Sequence, residues 1–261
     1  MPDITQGLAI VGPGLIGTSV GLAAKRRWPQ LDVRTVDKDQ PLNGIGTARI
    51  IVLAAPVDAI VEMIPRLPGV IDPQALVIDT GSTKQAILKA AAAAKIAQFV
   101  GGHPMAGGTS IAEARAELFD GRPWFLVNPE APDVVRRAAS FVDALGARPI
   151  VFEDHGQQHD RLMAAISHLP QVTASVLMAT VARAVDAEYL CWAGAGLRDT
   201  TRLAASSAEM WQSILSANRE HLAPLLKTLA ADLSALADHL DDPDAIPKLF
   251  DEARKARAAL K

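Results

Sequence analysis

Two short polar segments carry the side chains best suited to acid–base chemistry. They read Asp79-Thr-Gly-Ser-Thr-Lys84 and Gly101-Gly-His-Pro-Met-Ala-Gly107, and each follows a short apolar run. Ligands of open α/β sheets bind at the carboxyl ends of the strands, so His103 is a candidate general base and Ser82 a candidate to orient its ring. Each also has a plain structural interpretation. Ser82 can cap the helix predicted to begin near Lys84, and Lys84 can be solvated, while an isolated histidine is more often structural.

A second group of candidate residues lies in the C-terminal part of the chain, in Ser167-His-Leu-Pro-Gln171 and Gly196-Leu-Arg-Asp-Thr-Thr-Arg202. Arg202 is the most suggestive, because a guanidinium binds a carboxylate through two parallel hydrogen bonds. His168 can equally be a packing residue. Trp211, a little further along, is interpreted as a core residue.

The segment Leu8-Ala-Ile-Val-Gly-Pro-Gly-Leu-Ile-Gly17 has the pattern of a strand, a GxGxxG turn and a helix. In that context Gly12 permits the tight turn, Gly14 lets the backbone approach a pyrophosphate, and Gly17 allows close packing of helix on strand. The helix N-terminus then offers amide donors to the phosphates. The predicted cofactor-binding residues are Gly12, Gly14, Leu15, Ile16, Gly17, Asp37, Ala55 and Pro56.

Asp37 lies 20 residues after Gly17, at the end of the strand-like run Val33–Val36. A carboxylate at this place accepts hydrogen bonds from the ribose hydroxyls of adenosine and repels a 2′-phosphate. The sequence therefore predicts NAD as the cofactor in preference to NADP, although the neighbouring Lys38 weakens that preference.

Only 12 residues, 38–49, separate Asp37 from the next strand-like run at Ile50. A complete βαβ unit needs roughly 30 residues. We therefore predict that one helix and one strand are missing, that the strand Asp32–Val36 lies at or near the sheet edge, and that the adenine pocket is unusually open.

Short apolar runs alternate with helical patterns up to about residue 152, and helical patterns alone follow. This order predicts an α/β, Rossmann-type dinucleotide-binding domain over residues 1–153 and an all-α dimerisation domain over residues 154–261. Predicted strands are Leu8–Val11, Asp32–Val36, Ile50–Ala54, Leu76–Ile78, Phe99–Gly101, Trp124–Val127 and Pro149–Phe152. Predicted helices are Leu15–Arg27, Val57–Leu67, Lys84–Ala94 and Pro132–Leu145, and later helices are expected to break near Pro170, 194–196, Pro224 and Pro243.

Composition and charge exclude several classes of protein. The chain has 261 residues, of which 49% are hydrophobic and 21% charged, as is typical of globular proteins. A net charge of -3 argues against a nucleic-acid partner. A strand-like run begins at Leu8 and no apolar stretch of membrane-spanning length is free of charges and breakers, so neither a signal peptide nor a membrane partner is expected.

The single cysteine, Cys191, has no partner for an intramolecular disulfide, which favours a reducing compartment and a cytoplasmic protein. With no base beside it in the sequence, Cys191 is predicted to be a buried structural thiol rather than a nucleophile. The Ala- and Leu-rich helical part needs more surface to pack against than its own fold supplies, so we expect a homodimer.

Six motifs, in order and at compatible spacing, make the chain resemble the prephenate/arogenate dehydrogenase family of tyrosine biosynthesis from Leu8 to about Asn218. They are GPGLIGTS, DTGSTK, GGHPMAG with Leu118-Phe119 and Trp124, His159-Asp160, SHLPQ, and RDTTRLAASSAEMW. The resemblance implies a Rossmann-type domain followed by a helical dimerisation domain, with no metal.

By the same resemblance, His103 accepts the proton of the substrate's C4 hydroxyl while hydride leaves that carbon for NAD and the ring carboxylate is lost as CO2. Ser82 orients His103 and approaches the nicotinamide. Arg202 binds a substrate carboxylate, and His168 and Gln171 line the pocket. The resemblance does not separate prephenate from arogenate.

Two features depart from the family or invite another interpretation. Many relatives carry an acidic residue in the loop after the histidine, whereas this chain reads Gly107-Gly-Thr-Ser-Ile-Ala112. His155 and His159 have the i, i+4 spacing of a metal site, but no HExxH pattern or further ligand supports one. We also expect no separate regulatory domain after the helical part.

Three alternative functions remain open at this stage. The substrate can be an aminated prephenate analogue. The chain can be a β-hydroxyacid dehydrogenase, which predicts a catalytic lysine in the helical domain and no role for His103. It can also be a protein that senses NAD without turnover.

Overall fold

The computed structural model describes residues 7–108 and 110–260 and contains a seven-stranded sheet in the order β2-β1-β3-β4-β5-β6-β7. Neighbouring strands are parallel except β5 and β6, which are antiparallel. The strands are β1 Leu8–Val11, β2 Val33–Val36, β3 Ile50–Leu53, β4 Leu76–Asp79, β5 Phe99–Pro104, β6 Pro123–Val127 and β7 Arg148–Phe152. All seven predicted strands are present, and the predicted α/β class is confirmed.

Helices cover both faces of the sheet, which is why its central strands are continuous apolar runs. They are α1 Leu15–Arg27, α2 Val57–Met63, α3 Gln85–Ala93 and α4 Pro132–Ala144. In β1, Leu8 and Ile10 enter the core beneath α1 and α4, whereas Ala9 and Val11 enter the core beneath α2 and α3. This layering holds the carboxyl ends of β1, β3, β4 and β5 at one edge of the sheet.

The predicted shortening after the second strand is confirmed. Only a 3-10 helix, Leu42–Ile45, lies between β2 and β3, and β2 is the edge strand of the sheet. Leu42 and Ile45 are buried, so the short connection closes the core beside β2 without a further strand.

After Phe152 the described residues form helices and turns. The helices are α5 Gln157–Met163, α6 Leu169–Ala184, α7 Ala195–Thr200, α8 Ala208–Ala217, α9 Arg219–Asp238 and α10 Ala245–Arg257, with 3-10 helices at Ala187–Trp192 and Arg202–Ala205. Two predicted breaks are wrong. A π-helical turn, Ala164–His168, leads directly into α6 and accommodates Pro170, and Pro224 lies inside α9, where the helix tolerates the loss of one N–H donor.

The helical part buries little of its apolar surface within a single chain. Leu222 is the one buried residue of α9, and α10 has none. Large apolar side chains are exposed along these helices, including Val176 (57%), Trp192 (77%), Leu233 (58%) and Phe250 (69%). Cys191 is exposed too, so the prediction of a buried thiol is wrong. Helices of this kind need further packing, because propensity alone does not hold them.

The continuous helix from Gln157 to Ala184 is long and apolar enough to cross a membrane by length and composition alone. Its buried side chains include the polar groups of Asp160, His168 and Gln171, which make hydrogen bonds with other parts of the chain. These contacts would be lost in lipid, so we attribute its apolar outer face to packing between helices.

Gly102 in β5 lies where this strand closely approaches the end of β4. A Cβ added there would lie 2.2 Å from the carbonyl oxygen of Asp79. We predict that Gly102→Ala lowers the free energy of unfolding by about 1–3 kcal/mol through overpacking, measured by urea denaturation. Gly196→Ala in α7 is the matched control, because its Cβ meets nothing within 4 Å. Equal stability of the two variants would contradict the prediction.

Candidate active site

A cavity of about 570 Å³ lies between the carboxyl edge of the sheet and the helical part of the chain. Both parts contribute to its wall. The sheet side supplies the glycine turn after β1, the segment after β3, Ser82 and His103, and the helical side supplies Ser167, Gln171, Arg202, Met210 and Trp211. None of the described residues that line it is a lysine. The expectation that Ser82 and His103 lie at the carboxyl edge of the sheet therefore agrees with the structure.

The glycine turn is shaped to receive a phosphate. Gly12 has φ +96°, and a Cβ there would lie 2.4 Å from the Ala54 carbonyl oxygen; a Cβ on Gly17 would lie 2.1 Å from the Gly12 carbonyl oxygen. A Cβ added to Gly14, by contrast, would have no atom within 4 Å. Helix α1 begins at Leu15 without a side-chain cap, so its first amide groups are open to an anion.

The other predicted cofactor residues lie around the same turn. Asp37 is exposed immediately after β2, beside β1 and its Gly12 turn, and its carboxylate accepts the backbone N–H of Lys38 at 2.7 Å. Ala55 and Pro56, after β3, line the cavity. An open glycine, an uncapped helix and a carboxylate at the end of the second strand are the features that a dinucleotide requires, so these residues fit NAD.

His103 is held by a chain of buried side chains. Its Nδ1 lies 2.9 Å from Nε2 of His159, and Nδ1 of His159 lies 2.8 Å from Oδ1 of Asp160. The expected hydrogen bond from Ser82 to His103 is not present, although Ser82 lines the same cavity. Burial, reinforced by the nearby charge of Lys84, brings the pKa of His103 well below its ordinary 6.5. His103 is therefore a neutral imidazole at physiological pH.

Asp160 also caps a helix of the sheet domain. Its Oδ1 accepts the backbone N–H of Lys84 at 2.7 Å, and its Oδ2 accepts the N–H of Gln85 at 3.0 Å. Sequence reasoning offered Ser82 as the cap of this helix, α3, whereas the cap comes from a residue 75 positions further along. Burial opposes ionisation, but the hydrogen bonds from His159 and Gln85 keep the pKa of Asp160 below 3.8.

Lys84 is fully buried, which corrects the interpretation that it is solvated. Its Nζ makes an ion pair with Oδ2 of Asp79 and donates to the carbonyl oxygen of Gly102 at 2.6 Å. Asp79 in turn accepts the N–H of Gly102 at 2.9 Å. Burial lowers the pKa of Lys84 and raises that of Asp79, and their mutual attraction opposes both shifts. The pair ties the end of β4 to the strand that carries His103.

Arg202 is exposed and lines the cavity. None of the ion pairs between described residues includes its guanidinium. Gln171 is buried and donates from Nε2 to the carbonyl oxygen of Leu203 at 2.8 Å. Gln171 thus lines the cavity and also fixes the 3-10 helix Arg202–Ala205 that presents the guanidinium.

His168 packs behind the cavity wall and is not among the residues that line it. Its ring meets Trp211 edge-on, with centroids 5.8 Å apart. Because Asn218 Nδ2 donates to Nδ1 of His168 at 3.0 Å, the ring proton is on Nε2. That Nε2 and the indole Nε1 of Trp211 are buried without a partner. Trp211, interpreted from the sequence as core, thus belongs to the cavity wall.

An acidic residue does reach the loop after His103, although the sequence places none directly in it. The carboxylate of Glu113 lies beside Gly108, which lines the cavity. A Cβ added to Gly108 would be only 2.5 Å from that carboxylate. The same carboxylate accepts the backbone N–H of Ser110 at 3.0 Å. Its position, five residues beyond Gly108, explains why the local motif did not reveal it.

Two family models match the chain. The model described as "Prephenate dehydrogenase, nucleotide-binding domain" matches residues 16–151. The model described as "Prephenate dehydrogenase, dimerization domain" matches residues 155–252. Together they span both sides of the cavity.

Individual relatives agree with this match. A prephenate dehydrogenase of Lactococcus lactis is 27% identical over 97% of this chain and 77% of its own length. A cyclohexadienyl dehydrogenase of Zymomonas mobilis is 28% identical, with 97% and 96% covered. The crystal structure of an A. aeolicus prephenate dehydrogenase with hydroxyphenyl propionate and NAD+ superposes with a TM-score of 0.86 at 20% identity, covering 98% of each chain. At that identity, the superposition establishes the shared fold.

Buried neutral histidines make the stability depend on pH. Burial lowers the pKa of His168 to about 4 in the folded chain, whereas the unfolded chain has the ordinary 6.5. Below pH 6.5 the unfolded state binds more protons, so the free energy of unfolding falls; for His168 the loss between pH 8 and pH 5 is about 2 kcal/mol. We predict that His168→Gln flattens this dependence by about that amount, measured by urea unfolding across the range.

The exposed His239 provides the matched control, and His239→Gln should follow the wild-type pH dependence. Parallel profiles for wild type and His168→Gln would contradict the prediction.

Proposed function

Because the chain belongs to the prephenate dehydrogenase family, we propose that it oxidises prephenate, arogenate or both with NAD and releases the ring carboxylate as CO2. The product is 4-hydroxyphenylpyruvate from prephenate and tyrosine from arogenate, which places the reaction in tyrosine biosynthesis. One observation carries the proposal: the neutral imidazole of His103 lines the same cavity as the glycine turn and Arg202.

The reaction requires one proton acceptor from the protein. His103 takes the proton of the C4 hydroxyl as that oxygen becomes a carbonyl. NAD, when bound, supplies the hydride acceptor for the same carbon. The bond to the ring carboxylate breaks, its electron pair remains in the ring, and the ring oxygen recovers a proton to give the phenol. Aromatisation and CO2 release drive the reaction, so the protein's contribution is to position groups and hold one proton.

We assign the cofactor to the sheet side of the cavity. Gly14 and the amide groups at the start of α1 would hold its pyrophosphate, a close approach that Gly12 and Gly17 make possible. Asp37 would accept hydrogen bonds from the ribose hydroxyls and disfavour NADP. The segment of Leu15 and Ile16 and the segment of Ala55 and Pro56 would provide the apolar wall. Ser82 lines the same cavity and would approach the nicotinamide.

We assign the substrate to the helical side. Arg202 binds a carboxylate of the substrate, and Gln171 keeps the turn of Arg202 in place. The ring of His168 packs against the indole of Trp211 behind the cavity wall. Its Nε2 is a neutral N–H donor buried at that place. The β-hydroxyacid alternative required a lysine from the helical part, and none of the described cavity residues is one.

We further propose that the two units divide at residues 153 and 154 and that residues 154–261 form a homodimer. The exposed side chains of Val176, Trp192, Leu233 and Phe250 support this, because a partner subunit would bury them. A cytoplasmic location is consistent with the lone cysteine and with the relatives' biosynthetic role.

The proposed function predicts NADH formation from prephenate, arogenate or both, measured by absorbance with each substrate in parallel. His103→Asn should lower kcat by about 10²–10⁴-fold, because the general base is lost. Its dissociation constant for NAD, measured by calorimetry, should stay within a few-fold. His239→Asn, at an exposed histidine, should leave kcat unchanged. Wild-type protein that binds NAD yet oxidises neither substrate would refute the proposal.

The assignment of Asp37 predicts a change in cofactor preference. Asp37→Ser removes the charge that repels a 2′-phosphate, so kcat/KM with NADP relative to NAD should rise about tenfold or more. Asp39→Ser, at an exposed residue two positions further along, should leave the ratio near that of wild type. An unchanged ratio in Asp37→Ser would place the ribose elsewhere.

A further inference from the structure

We propose that His159 and Asp160 are positioning residues that hold His103 in the single tautomer able to accept the substrate proton, and that they stabilise the charge His103 then carries. The inference rests on the proposed function, in which His103 is the general base. It gives a role to the His159-Asp160 motif, to which the sequence alone assigned none.

The proton positions follow from Asp160 outward. The Asp160 carboxylate has only acceptor oxygens, and it already receives the backbone N–H groups of Lys84 and Gln85. The side-chain Nε2 of Gln85 donates to it as well, at 3.4 Å. Because the carboxylate can only accept, Nδ1 of His159 at 2.8 Å must also donate. The ring proton of His159 is thus on Nδ1, and its Nε2 carries the lone pair.

The tautomer of His103 follows from that of His159. Nε2 of His159 lies 2.9 Å from Nδ1 of His103, so His103 donates from Nδ1. The lone pair of His103 is then on Nε2, the other edge of the ring. Among the described residues none hydrogen-bonds to that Nε2, and His103 lines the cavity. The free lone pair is therefore the group available to a substrate hydroxyl.

Both rings are neutral before the reaction. Burial lowers the pKa of His103 and of His159 below 6.5, and hydrogen bonds lower the pKa of Asp160. Around His159, the rings of Phe125 and Phe152 pack edge-on at 5.6 and 5.8 Å. Because these phenyl rings offer no hydrogen-bonding group, the two imidazoles hydrogen-bond to each other, and His159 to Asp160.

The hydrogen-bonded residues His159 and Asp160 also stabilise the charge that His103 gains on proton transfer. When His103 takes a proton on Nε2 it becomes an imidazolium in a buried place, where an uncompensated charge is costly. The Lys84 ammonium nearby opposes that charge. The carboxylate of Asp160, two hydrogen bonds away through His159, compensates it without leaving its place at the start of α3.

Asp160 has a structural task as well, because it caps α3, whereas His159 has no part in that cap. Substitution of His159 therefore separates positioning from folding. His159→Leu removes the acceptor for His103 and keeps the cap. His159→Gln restores an acceptor, because its side-chain carbonyl reaches approximately the position of the imidazole Nε2.

The kinetic test compares these two variants with His155→Gln, the same substitution at an exposed histidine four residues earlier. We expect His159→Leu to lower kcat by about 10²–10⁴-fold with KM within a few-fold, and His159→Gln to recover to within about tenfold of wild type. His155→Gln should match wild type. Equal losses in the Leu and Gln variants, in parallel with lost stability or NAD binding, would overturn the proposal in favour of a purely structural role.

The direct test is the tautomer itself, read by 15N NMR of histidine-labelled, substrate-free protein. The His103 signals are assigned by their loss in His103→Asn. Wild type should show protonated Nδ1 and unprotonated Nε2 at His103, and His159→Leu should lose that preference. Protonated Nε2 in wild type, or an unchanged tautomer in His159→Leu, would overturn the proposal.

This measurement needs no turnover, so it distinguishes the two failures. Absence of NADH from both substrates refutes the proposed function, whereas the wrong tautomer refutes the role of His159 and Asp160.

Discussion

The buried carboxylate of Asp160 is the interaction on which the rest of the site depends. It belongs to the first helix of the helical part, yet it caps α3 of the sheet part through the N–H groups of Lys84 and Gln85. A buried charge is tolerated only when its lone pairs are satisfied, and here backbone donors and His159 satisfy them. One carboxylate therefore joins the two parts of the chain and aligns the imidazoles that end at the cavity.

Further polar contacts extend this joint. The backbone carbonyl of Asp160 accepts Asn218 Nδ2 at 2.7 Å, and Asn218 also sets the tautomer of His168. In addition, Ser213 of α8 donates to Asp58 of α2 at 3.0 Å. The cavity thus exists because helices of the C-terminal part are hydrogen-bonded to the carboxyl edge of the sheet at several points. The residues that we propose for the cofactor and those that we propose for the substrate are thereby brought to the same cavity.

How much of this could be predicted depended on the range of the interactions. The strand, glycine turn and helix around Gly12, the carboxylate of Asp37 and the missing helix after β2 are local patterns, and the sequence revealed them. The cap of α3 by Asp160 joins residues 75 positions apart, and no local signal marks it. The burial of Lys84 depends on Asp79 and β5, and the exposure of Cys191 depends on the sparse packing of its neighbouring helices. Tertiary packing decided these cases against the usual behaviour of each residue type.

A double-mutant cycle on kcat with Asp160→Asn and His103→Asn shows whether Asp160 serves the reaction through His103. We expect strong non-additivity: Asp160→Asn lowers kcat in the wild-type background and has almost no further effect in the His103→Asn background. The stability lost with the α3 cap should be similar in both backgrounds. Full additivity in kcat would show instead that Asp160 acts on the reaction independently of His103.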